Sequence, residues 1–144
     1  MNVRRATQKV RAILEDNGLC FSMREEEFAL RFSSAMLLVG FSTVGTQTLI
    51  TLRAPILQNV PVGGGRTDRI LRELNLRNCE SHFGKWMLYE DLQLIALEYD
   101  LLGDQLQEEE LMTALATLAR LADHQDDLLQ KKLGGSRAFE CHGI

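Results

Sequence analysis

Apolar residues recur at three- and four-residue spacing over residues 3–17, where Val3, Ala6, Val10, Ile13 and Leu14 share one side of a helix. Asn17-Gly18 stops that helix, because glycine readily takes the left-handed conformation that ends one. From Leu19 to Leu57 the texture changes to short runs of Phe, Val, Thr, Ile and Leu broken by small residues, which is the pattern of strands. Phe28–Phe32 is the surest part of a first strand that begins near Cys20, with Glu25-Glu26-Glu27 as a bend. Ala35–Phe41 and Thr46–Leu52 are a second and a third strand, the third running on toward Leu57. Ser33-Ser34 and Val44-Gly45 supply the turns, and connections this short give an antiparallel meander. Pro55 has no N–H for a ladder, which places it near a strand end or on an edge.

Pro61 to Gly65 is the clearest loop. Thr67 or Asp68 then caps a helix running to about Cys79, with Ile70, Leu71 and Leu74 as its buried stripe and Arg69, Arg72 and Arg77 toward water. Lys85–Tyr89 and Leu92–Leu101 read as a hairpin with Glu90-Asp91 at its tip. Leu92–Leu97 is apolar on both faces except at Gln93, so this strand is central in its sheet or has its outer face covered by a partner. Gln107 to Leu133 is one amphipathic helix with Leu111, Leu115, Leu118, Ala122 and Leu129 as its main stripe. At 1.5 Å per residue it is about 40 Å long, more than a small sheet needs, so its end projects or meets a second subunit. The order α-β-β-β-α-β-β-α, with strands in antiparallel blocks, predicts an α+β two-layer fold. About five antiparallel strands pack with three helices in one domain over residues 1–135, followed by a flexible tail at residues 136–144.

Charge and composition narrow the partners. The 144 residues carry a net charge of −4, and nucleic acid needs a basic surface, so it is not expected as a partner. The Arg4, Arg5, Lys9 and Arg11 group on the first helix reads as a solvated face. No apolar run approaches the roughly 18 residues that span a bilayer, and residues 1–15 hold no apolar signal segment. No membrane partner and a cytoplasmic location are therefore expected. An odd set of three cysteines (Cys20, Cys79 and Cys141) fits free thiols.

Chemistry is thin. Gly63-Gly64-Gly65-Arg66-Thr67 invites a phosphate-loop reading, but Val60 stands where the motif needs glycine and Arg66 where it needs lysine. Backbone amides near Gly63–Asp68 remain an alternative anion site, which would make the protein a small-molecule- or ion-responsive regulatory module. Cys79 and His82 have a Cys-x2-His spacing, yet adjacent Cys141 and His142 make a poor second chelating pair. His124 sits among Asp123, Asp126 and Asp127 on a polar helix face without the ligand spacing of a calcium loop. No nucleophile, base and orienting carboxylate converge in the sequence. The reading assigns no catalytic residue, no cofactor and no metal, and takes the protein as non-enzymatic. The apolar run Trp86-Met87-Leu88-Tyr89 can line a partner groove, with alternate members packed under helices. The residues expected to bind a partner are Met36, Leu38, Trp86, Leu88, Leu94 and Ala96.

The stretch Ile70-Leu71-Arg72-Glu73-Leu74-Asn75-Leu76-Arg77-Asn78 resembles the YbjN family, where an Asn-x2-Asn pair often ends this helix. The approach Phe83-Gly84-Lys85 and the helix opening Leu106-Gln107-Glu108-Glu109-Glu110-Leu111 are similar too, although Gln107 stands where the family has Ser or Thr, which weakens the cap. The likeness is best over residues 67–133. It implies the fold of class I type III secretion chaperones, usually homodimers that bind extended segments of partner proteins on apolar surface, with no cofactor. The YbjN branch is described as sensory transduction regulators. The expectation is a chaperone-like or adaptor protein, a homodimer, that holds a client or effector-like protein segment, with a regulatory role in signal transduction.

Overall fold

A computed structural model describes residues 2–32 and 35–138. Helix α1 (Val3–Asp16) is followed by strands β1 (Phe21–Arg24), β2 (Glu27–Phe32), β3 (Ala35–Val44) and β4 (Gln47–Gln58). Helix α2 (Gly65–Glu80), strands β5 (Lys85–Tyr89) and β6 (Leu94–Leu102), helix α3 (Glu108–Leu133) and strand β7 (Ser136–Arg137) complete the chain. Neighbouring strands are antiparallel in the order β1-β2-β3-β4-β6-β5, with β7 pairing β4. The α+β architecture with three helices is as expected, and the sheet has seven strands instead of five.

Two local features account for the extra strands. The first expected strand is a hairpin, because Glu25 turns the chain with φ 56° and Arg24 comes back opposite Glu27. The expected tail begins with β7, whose Arg137 pairs with Leu57 and Ser136 with Gln58. Gly135 makes that approach possible: its φ is +76°, and a Cβ there would lie 2.7 Å from the Gln58 carbonyl oxygen. Residues 139–144, with Cys141 and His142, lie outside the described residues, as does the expected turn at Ser33-Ser34.

Alternation divides the sheet. Leu37, Val39, Ile50, Leu52, Ala54, Ile95 and Leu97 are buried in one core with Val10 and Leu14 of α1 and Leu111, Leu115 and Leu118 of α3. The two helices meet at their ends, where the Asn17 side-chain amide donates to Glu108 at 2.8 Å. At the start of α3, Gln107 does not leave the helix uncapped: Glu110 reaches back and accepts from the Gln107 backbone N–H at 3.1 Å. The end of α3 does not project. Leu129 and Leu133 are buried, and Lys132 reaches Glu73 of α2 at 3.0 Å.

Several single-residue expectations change. Pro55 lies inside β4, between β3 and β6, and is tolerated because the ladder shifts register between Pro55 and Leu57. No side chain caps α2: Gly64 takes the cap position, while the Thr67 hydroxyl accepts from Gly63 N–H at 2.8 Å. Ile70 and Leu74 are buried but Leu71 is exposed. Arg77 does not face water; its guanidinium bonds Gln125 of α3 and lies 5.9 Å from the Trp86 ring centre. Leu92 falls in a short 3-10 turn and is exposed, so β6 begins at Leu94.

Candidate partner-binding face

Among the described residues no helix lies on the second face of the sheet, and the composition of that face follows from register. Leu38 lies beside Arg53, Arg53 beside Glu98, and Glu98 beside Lys85. One row toward the β3–β4 turn, Gly40, Thr51 and Asp100 are neighbours. On the other side, Pro55, Ala96 and Met87 form a row that shares its face with Met36, and Leu94 sits opposite Tyr89. The face is thus apolar along Met36, Leu38, Met87 and Leu94 and polar along the Arg53–Glu98 and Thr51–Asp100 rows.

The polar rows are knitted together. Arg53 Nε approaches Glu98 Oε2 at 3.2 Å, and Glu98 is only 5% exposed. The Tyr89 hydroxyl also donates to Glu98 Oε2, and the Arg53 guanidinium stacks over the Tyr89 ring at 5.4 Å. Burial alone would lower the pKa of Arg53, but the hydrogen bond and charge of Glu98 outweigh it and hold it above the ordinary value. Burial, then the Glu98 hydrogen bond, raise Tyr89. Thr51 donates to Asp100 at 2.9 Å and Lys85 pairs with it at 3.4 Å. Beyond these pairs an open trough of about 710 Å³ is bordered by Glu25, Glu26 and Glu27 at the β1–β2 turn and floored by Gly40.

The structure separates the six expected residues. Met36, Leu38 and Leu94 are half-buried on the open face, and Ala96 is on it but fully covered by its neighbours. Trp86 and Leu88 are on the opposite side. The pleat that sends Lys85, Met87 and Tyr89 outward sends Trp86 and Leu88 toward the helices. Trp86 is 5% exposed, and Leu88 packs against the core. Met87, Tyr89, Arg53 and Glu98 belong to the open face and were missed. Strict alternation along β5 and β6 was the signal for all but Arg53, which needed the β4–β6 pairing. At the Gly63–Asp68 loop the Gly63 N–H, one of the amides an anion would need, is already taken by the Thr67 hydroxyl at 2.8 Å, and that hydroxyl donates to Glu90 at 3.1 Å, while Arg66, Arg69 and Lys132 line a small recess beside the loop. Among the described residues no group of three or more His, Cys, Asp and Glu side chains is arranged to hold a metal, and no helix is long and apolar enough to cross a membrane. Cys20 and Cys79 are exposed free thiols.

A family model described as "T3SS (YopN, CesT) and YbjN peptide-binding chaperone 1" matches residues 7–141. The chain belongs to this family. Solved structures agree in fold. The ExsC-ExsE complex aligns at TM-score 0.62 with 23% identity, covering 85% of this chain and 95% of that one. The HopA1-SchA chaperone-effector complex aligns at 0.62 with 9% identity, covering 88% and 98%. YbjN from E. coli aligns at 0.54 with 15% identity, covering 88% and 93%. At these identities the likeness is one of fold. No curated protein matches the chain. The YbjN resemblance carried by residues 67–133 therefore extends over almost the whole sequence. The second asparagine of its Asn-x2-Asn pair has a structural task here: the Asn78 side chain accepts from Trp86 N–H at 2.7 Å and donates to Trp86 C=O at 3.0 Å. It stands in for a further strand at the outer edge of β5.

Proposed function

We propose that this protein is a non-enzymatic, cytoplasmic chaperone-like adaptor that holds a segment of a partner protein against the open face of its sheet. The observation that carries the reading is the set of half-buried Met36, Leu38, Met87 and Leu94 on a face that no helix among the described residues covers. Apolar side chains in that state gain about 25 cal/mol for each Å² a partner removes from water, and methionines adapt their shape to different occupants. Membership of a family described as peptide-binding chaperones supports the same reading. So does one neighbour of like fold, which is a chaperone–effector complex. Arg53, Glu98 and Tyr89 set the polar border that fixes how a segment lies. Capturing a segment also withholds it from other partners, which gives the chaperone a regulatory output. A homodimer is part of the proposal, supported by Leu71 and Leu76, which α2 leaves exposed.

The test is co-purification from the native host with wild-type protein and with Leu94→Glu, both checked for intact folding by circular dichroism. The expected outcome is a specific protein retained by wild type and lost with the variant. Equal retention by a folded variant contradicts the proposal.

A further inference from the structure

A second recess lies on the helix side of the sheet, away from the open face. It has a volume of about 310 Å³ and sits between the first turns of α3 and the end of β6. Its wall is apolar: Leu101 and Ala114 are buried, and Phe83 stacks on Tyr99 with centroids 6.1 Å apart and ring planes at 28°. Phe83 is 53% exposed, unusual for a large aromatic that the fold holds in a defined stack. The rim is acidic, with Glu109 and Glu110 on the exposed side of α3. Glu110 accepts from Gln107 N–H through Oε1, leaving its other oxygen unused by that bond.

Apolar wall, aromatic face and carboxylate rim each set a condition on the occupant. An acidic group is repelled by Glu109 and Glu110. A purely apolar group would strip water from two carboxylates and return nothing to them. A side chain with an aliphatic stem and a planar cationic head meets all three conditions: the stem covers Leu101 and Ala114, the guanidinium lies over an aromatic ring, and its fork donates to the carboxylates. The volume suits one or two side chains, far less than a folded surface. We infer that the recess bounded by Phe83, Tyr99 and Glu109 is a pocket for an arginine side chain of a bound protein segment. It is independent of the open face, and its test does not require that reading to hold.

The probe is N-acetyl-leucyl-arginyl-leucine amide, titrated into the full, isotopically labelled chain and followed by amide NMR shifts. The comparison is the same peptide with citrulline, which keeps the planar shape and part of the donor set, exchanges one amino group for a carbonyl, and carries no charge. A cation–π contact and an exposed ion pair together predict roughly tenfold tighter binding of the arginine peptide. Saturable shifts should centre on Phe83, Tyr99, Leu101 and Ala114. Phe83→Ala and Glu109→Gln, both at exposed positions, should each weaken the arginine peptide by about threefold or more while leaving the remaining spectrum in place. Equal affinity for the citrulline peptide overturns the inference. So do shifts centred elsewhere, or no saturable shift up to about 20 mM peptide, well above the millimolar affinity expected of a single side-chain pocket.

Discussion

Arg53 and Glu98 form an ion pair on the uncovered face of the sheet, with Nε 3.2 Å from Oε2 and the carboxylate almost completely shielded from water. The shielding comes from the pair's neighbours, since Tyr89 closes over it and Met87 and Lys85 flank it in register. A charge in that position is stable only while its partners remain. Removing the guanidinium with Arg53→Met should therefore destabilise the fold by about 2 kcal/mol, less than a wholly buried pair because Arg53 is itself partly exposed. Replacing both groups, as Arg53→Met with Glu98→Leu, should recover most of the loss. Urea unfolding of the single and double variants measures this, and a double variant no better than the single would contradict it.

Tyr89 ionises above the ordinary phenol value of 10.0 because it is partly buried and donates to Glu98. An acid whose folded pKa is raised holds its proton longer in the folded state than in the unfolded one. Its contribution is therefore whole below pH 10 and is lost as pH rises through the folded pKa. Phenolate absorbance should show a late-titrating component that Tyr89→Phe removes, and the same substitution should flatten the alkaline loss of stability. A late component that survives Tyr89→Phe, or none in the wild type, would refute the assigned hydrogen bond.

Asn78 closes the outer edge of β5 through its two hydrogen bonds to the Trp86 backbone. Asn78→Ala leaves a backbone N–H and C=O without these partners beside a buried indole. At about 1 kcal/mol for each net hydrogen bond, the loss should be about 2 kcal/mol. Hydrogen exchange at the Trp86 amide should quicken more than at Ile95, which is held within the sheet. Unchanged exchange at Trp86 would show that the asparagine is dispensable.

Gly135 is the hinge on which β7 turns back to β4. Gly135→Ala combines an unfavourable positive φ with a contact of 2.7 Å to a carbonyl oxygen that cannot move without breaking β4. The substitution should cost more than about 1 kcal/mol and release β7, read as loss of amide protection at Ala138, which donates to Ile56 C=O. Retained protection there would argue that the turn adapts.

Much of this architecture is legible in the pattern of residues. The periodicities of α1 and α3 place Val10, Leu14, Leu111, Leu115 and Leu118 in the core. The all-apolar run after Gln93 announces β6 as a strand inside the sheet. Three features were not legible, for separate physical reasons. The Glu25 turn relies on a non-glycine residue at positive φ, which no turn signature announces. The two-residue β7 is too short to have a period. Pro55 is accommodated by a bulge that only the paired strand reveals. The open face was half legible: β5 and the start of β6 are apolar as read, but the pleat turns Trp86 and Leu88 toward the helices and Met87 and Tyr89 outward in their place. Arg53 and Glu98 are 45 residues apart, and pairing them requires knowing that β4 lies beside β6.

If a partner segment lies on the open sheet face, as proposed, a photo-crosslinking residue at Leu38 will reach it. The same residue at His124, exposed on the helix side, serves as the control. With the partner bound, crosslinks should form from position 38 and not from position 124. Crosslinks from position 124 alone, with none from position 38, would mean that the segment binds on the helix side and not on the open face.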